Sequence, residues 1–151
     1  MMLYLALNTY AHLFFIITII CCLLLELKMV KGVMSFREIS KLNKLDGLYG
    51  LAAILVVITG LLNWFSLAKG YEYYASNTIF LIKITLFIIV GVLSIYPTVM
   101  FFRLKRRNKH DKPDSIVFDQ ARNVKRVIRV EIAIMFFIPL LAELMANGID
   151  L

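Results

Sequence analysis

The sequence predicts an all-α integral membrane protein. The expected architecture is a four-helix bundle with both termini outside, a basic cytoplasmic loop and an interfacial helix before the last span. Three observations carry this. First, 61% of the 151 residues are hydrophobic and the mean hydropathy is +0.82, whereas soluble domains hold about 45–50% apolar residues. Second, the excess falls in four blocks, at about 3–25, 45–65, 79–102 and 127–146, each near the roughly 20 residues that cross a bilayer as a helix. Third, apart from Lys69 and Lys83, every Lys and Arg lies in one of two segments: between the first and second blocks, or from Arg103 to Arg129. The chain 1–151 reads as a single transmembrane domain without a soluble module.

The first span, about Leu3 to Leu25, is interrupted by Asn8, Thr9, His12 and Thr18 and ends at Glu26 and Lys28. It lacks the basic leader and small-residue cleavage site of a secretory signal and reads as a retained span. Cys21 and Cys22 are sequence neighbours, and helix neighbours point about 100° apart, so they are expected as buried thiols rather than a disulfide or a metal site. Ser35 and Glu38 have capping-box spacing, which starts a helix leading into the second span. In that span Gly47, Gly50 and Ala53 form a small-residue stripe that would admit a close helix neighbour. Asn63, Trp64 and Phe65 mark its far end, where an aromatic anchor is usual. The linker Ser66 to Asn77 is aromatic, and Ser76 or Asn77 is the expected cap of the third span. Pro97 and Pro139 remove backbone hydrogen bonds inside the third and fourth spans and predict kinks. After the segment RLKRRNKHDKPDS, Asp114 or Ser115 is the expected cap of a helix beginning at Ile116. On it Arg122, Arg126 and Arg129 recur at i, i+4 and i+7, a positive stripe suited to anionic lipid.

Orientation follows from the charges. Lys28, Lys31, Arg37, Lys41 and Lys44 lie between spans one and two, and ten basic residues lie from Arg103 to Arg129. The positive-inside rule places both segments in the cytoplasm and both termini on the non-cytoplasmic side of the cell (inner) membrane. No base-stacking aromatics are interleaved with the basic run, so nucleic acid is not the expected partner. The expected partners are the lipid bilayer, anionic lipid at the cytoplasmic face, and a second copy or a larger membrane complex.

At 1.5 Å per residue, His12 lies roughly 13 Å and Lys83 roughly 6–9 Å below the outer surface. Glu143 falls within about one turn of the outer end of the fourth span. With Asn63 and Trp64 these form an outer-leaflet cluster, the candidate ligand-binding site. A lysine at membrane depth faces protein, water or a ligand. It either snorkels to water, pairs with Glu143, or works in a site. His12 is either a hydrogen-bonding residue between helices, a proton relay, or a metal or haem-iron ligand. A second group, Glu26, Arg37, Asp46, Arg103, Arg129 and Glu131, collects near the cytoplasmic face. It reads as structural ion pairs: Glu26 with Arg37, and Asp46 with Arg103 or Arg129, with Glu131 in the same network. The apolar middle between the two groups argues against a single-chain pore.

The sequence has no Gly-rich phosphate loop, His-x-x-x-His pair or Cys-x-x-Cys motif. Its second histidine, His110, lies in the cytoplasmic loop, so topology excludes bis-histidine haem within one chain. The blocks LDGLYGLAAILVVITGLLNWF, NTIFLIK, GVLSIYPT and ELMANGI together resemble a bacterial membrane family catalogued as domain of unknown function 2214. A helix-one histidine and a helix-three lysine in a four-helix protein are also similar to the HemJ-type protoporphyrinogen oxidase and CopD copper-resistance proteins. That resemblance implies haem b or porphyrin chemistry at His12 and Lys83. The expected function is therefore a membrane protein holding haem or porphyrin, a metal or a small anion in the outer site. The alternative is a non-enzymatic membrane subunit or assembly factor in which these polar residues are structural.

Overall fold

The computed structural model describes residues 2–63, 78–111 and 113–146. These form α1 (Met2–Met29), β1 (Val33–Met34), α2 (Phe36–Leu62), α3 (Thr78–Arg107), β2 (Ile116–Val117) and α4 (Ala121–Ala146). Trp64, Lys69, the expected caps Ser76 and Asn77, and the terminal Asn147 to Leu151 lie outside the described residues.

α1, α2 and α3 are each long and apolar enough to cross a membrane. Their outward surfaces are made of large apolar side chains. On α3, Ile88, Val92 and Ile95 are 58%, 62% and 58% exposed, a continuous apolar face that suits lipid rather than water. α4 differs along its length. Its first turns carry Arg122, Arg126 and Arg129, all exposed, and its later turns expose Phe136, Phe137 and Leu140.

The helices form an antiparallel ring: α1 packs mainly on α2 and α3 mainly on α4, with α2–α3 and α1–α4 contacts closing the bundle. Helical spacing sets what faces inward. On α2 the buried positions are Ile39, Leu42, Asp46, Tyr49, Ala52, Val56 and Thr59, the three-and-four alternation of one helix face. On α4 the series is Val124, Ile128, Glu131 and Met135. On α1 it is Ile19, Cys22, Leu23 and Glu26, with Val30 just past its end.

The α2 start forms as expected. Ser35 Oγ accepts from the Glu38 backbone N–H, and the Ser35 N–H donates to Glu38 Oε2 at 2.8 Å. α2 then runs unbroken into the apolar block. The second start differs from expectation. Ile116 does not begin a helix. Ile116 and Val117 pair antiparallel with Met34 and Val33, and the Phe118 N–H donates to the Gly32 carbonyl at 2.8 Å. α4 begins five residues later, at Ala121, and carries the basic stripe on its first turns, continuous with the apolar block that follows. The β-branched Ile116 and Val117 suit a pleated pair, and their partner lies more than eighty residues earlier, beyond any local pattern. This ribbon ties the two basic segments together at one end of the bundle. Cys21 and Cys22 are free thiols; Cys22 is buried and Cys21 exposed. α3 and α4 continue through Pro97 and Pro139.

The small-residue stripe has a different outcome from close helix contact. A Cβ built on Gly47, Gly50 or Gly91 would meet no atom within 4 Å. These glycines line a cavity of about 260 Å³ between the helices. Gly91→Ala is therefore expected to raise stability by about 0.5–1 kcal/mol through helix propensity alone. A higher thermal unfolding midpoint in detergent checks this; a lower one would mean the site is tighter than its open space suggests.

Candidate functional site

Two polar layers cross the bundle, one toward the ribbon and one toward the other end. The far layer is built by α1 and α2. Asn8 Nδ2 donates to the Thr59 carbonyl at 2.9 Å and to Asn63 Oδ1 at 2.8 Å. His12 Nδ1 lies 2.8 Å from Thr59 Oγ1, and its Cε1 sits 3.4 Å from where a Cβ on Gly60 would be. Gly60 thus lets the imidazole lie against the α2 backbone.

The Thr59 hydroxyl favours one tautomer of His12. It has one proton, and its oxygen is 2.7 Å from the Leu55 carbonyl, which can only accept. Oγ1 is then left to accept, so we assign the His12 proton to Nδ1 and the lone pair of the neutral ring to Nε2. Lys83 of α3 is half-buried, acts electrostatically on His12, and has its Nζ 5.7 Å from the Phe80 ring centroid. Glu143 lies exposed in the last turn of α4. Of the expected outer cluster, the fold therefore joins His12 and Asn63 through Thr59 and Asn8 and brings Lys83 to them. Trp64 is outside the described residues. Asn8 and Thr59 are the members that sequence reading left out. Their signal was present: Asn8 is one turn before His12, and Thr59 one turn before Asn63.

The layer toward the ribbon is acidic and differs from the ion-pair network expected there. Glu26, Asp46 and Glu131 are 1%, 8% and 0% exposed. They project inward from α1, α2 and α4, and their charges act on one another. Arg37, Arg103 and Arg129 are all exposed. Glu26 Oε1 and both carboxyl oxygens of Glu131 have no hydrogen-bond partner. Asp46 Oδ1 accepts from the Thr98 hydroxyl at 2.8 Å. Among the described residues the ion pair of this region is Lys31–Glu38, at 3.0 Å on the surface. The reason is helical phase. Arg129 and Glu131 are two residues apart, about 200° around the helix, and cannot share a face. Asp46 and Glu131 each lie ten residues into their helices, roughly 15 Å from the ribbon-end starts, so the antiparallel fold sets them level. A carboxylate in such a place costs several kcal/mol unless it is protonated or meets a cation.

Among the described residues no group of three His, Cys, Asp or Glu side chains is arranged to hold a metal ion. Asp46 instead lines the cavity, together with Thr98, Ser94 and Tyr49 at its polar part and Ile19, Phe87, Val90 and Met135 as apolar walls.

Long helices with apolar outward faces and polar groups turned inward define a membrane-embedded helical bundle. Within that class, the model of the DUF2214 family, described as predicted membrane protein, matches residues 5–150, and the chain belongs to this family. No curated protein and no solved structure matches it.

Proposed function

We propose that the protein is a ligand-holding membrane protein whose working site in the outer half of the bilayer is the His12–Lys83 layer. All four helices cross the inner membrane in this reading, with both termini on the non-cytoplasmic side and the ribbon in the cytoplasm, since fifteen basic residues flank the ribbon. The exposed Arg122, Arg126 and Arg129 then lie against anionic headgroups.

The observation that carries the reading is the 2.8 Å contact between His12 Nδ1 and Thr59 Oγ1. A ligating histidine usually donates its other ring N–H to a neighbouring group, which sets the ring's orientation. Thr59 is that neighbour, leaving Nε2 as an electron-pair donor. A bare metal ion needs several protein ligands, which the described residues do not gather. A metal held in a macrocycle brings most of its own ligands. Haem b suits this donor chemistry: His12 Nε2 would hold the iron, and Lys83 would supply the cation for an acidic substituent. The group would supply redox or ligand-binding chemistry; Asn8, Thr59 and Gly60 hold and orient the imidazole.

Titrating the purified protein with haemin and following the Soret band tests this. His12→Ala is expected to remove the band shift. Thr59→Val is expected to weaken binding by about 10–100-fold, the usual effect of losing an outer-shell partner. A wild-type protein with no Soret change rejects the reading. A second reading, a membrane subunit without a ligand, is favoured by the bonds that already join α1 to α2 through Asn8, His12 and Thr59. In that case His12→Ala lowers the thermal midpoint and no added group alters any spectrum.

A further inference from the structure

We propose that the cavity among the four helices is a second site, one that binds a small organic cation: an ammonium group on an apolar body, held at Asp46. The site is separate from the His12 layer and lies nearer the ribbon. Its volume is about 260 Å³. An engineered apolar cavity of about 150 Å³ takes up benzene, so a single ring with a short charged arm is the right size. Gly47, Gly50 and Gly91 leave the space open.

The sign of the charge comes from the acids. Asp46 lines the cavity itself. Beside it are Glu131, 0% exposed with both oxygens unpartnered, and Glu26, 1% exposed with Oε1 unpartnered. An anion would be repelled. A divalent metal ion lacks a set of gathered ligands among the described residues. An alkali ion would trade its hydration oxygens for walls of Ile19, Phe87, Val90 and Met135. An organic ammonium brings apolar surface for these walls and N–H donors for the carboxyls.

R–NH3+ forms an ion pair with the Asp46 carboxylate, so any proton that Asp46 holds has to leave to water for the cation to bind. The other titratable groups at this layer are Glu26 and Cys22 from α1, Tyr49 from α2 and Glu131 from α4. From α3 come the uncharged hydroxyls of Thr98 and Ser94. Protons compete with the cation, so affinity rises with pH.

Isothermal titration calorimetry of the purified full-length protein with benzylammonium tests this, with benzyl alcohol and sodium chloride at equal concentration as controls. Buffers of different ionisation enthalpy count the protons. The expected result is saturable benzylammonium binding with proton release, and no matching response to either control. Asp46→Asn should weaken binding by at least about thirtyfold, the scale for losing one partner of a buried charge pair. Gly50→Leu fills the cavity and should abolish binding while circular dichroism shows the helices intact. An equal response to benzyl alcohol or to sodium overturns the proposal. So does an absence of benzylammonium binding, or an affinity unchanged in both variants.

Discussion

Replacing Glu131 with methionine is expected to stabilise the protein by about 1–3 kcal/mol, the range for removing a buried unsatisfied polar group. The side chain is 0% exposed and neither carboxyl oxygen has a partner. Methionine has a similar length, no polar atom to desolvate, and the flexibility to fill the same space. Thermal unfolding in detergent at neutral pH measures the change. The direction is diagnostic. Had Glu131 been held by a cation of the expected ion-pair network, removing it would cost about 3–5 kcal/mol, the penalty for breaking a buried pair. A clear fall in the midpoint of Glu131→Met would therefore restore the ion pair and remove the acid layer as a site. A gain in stability would mark Glu131 as a residue kept at a cost to folding, as groups at functional sites often are.

Phe101→Ala is expected to cost about 3–5 kcal/mol. Phe101 is 0% exposed and belongs to the buried core cluster, which also holds Met34, Ile116 and Phe118. In a bilayer the transfer term is small, because lipid is as apolar as the core, but the lost packing contacts and the void remain. Phe102, one residue on, is 58% exposed, and Phe102→Ala should stay within about 0.5 kcal/mol, as surface changes usually do. The pair is an internal control, since both remove the same side chain from one helix. Equal effects on the thermal midpoint would mean that α3 is rotated from its described orientation.

Much of the frame was legible in the residues. The apolar blocks are long, and each falls on one of the four helices, because backbone groups in lipid must satisfy one another within the helix. The Ser35–Glu38 cap was readable because its partners are three residues apart. The shared end of the two basic segments was readable from the number of crossings. His12, Lys83 and Asn63 were picked out as polar groups in apolar surroundings, and the fold brings them to one layer.

What stayed hidden depended on contacts between distant segments. The ribbon joins Val33 and Met34 to Val117 and Ile116, and neither dipeptide announces its partner. The spacing of Glu131 from Ile128 and Met135, and of Asp46 from Leu42 and Tyr49, already put both acids on buried faces. Reading them as ion pairs followed shared depth near the cytoplasmic face, which carries no information on angle around the helix. The glycine stripe carried small volume, which serves a close contact or a void equally well. Composition and local spacing alone determined that this is a helical membrane protein and where its helices fall. Only tertiary packing decided that its acids gather inside the bundle, with Asp46 at a cavity, and that its arginines face outward. Helix rotation and pairing are set by the sum of contacts from all four helices, which no single stretch encodes.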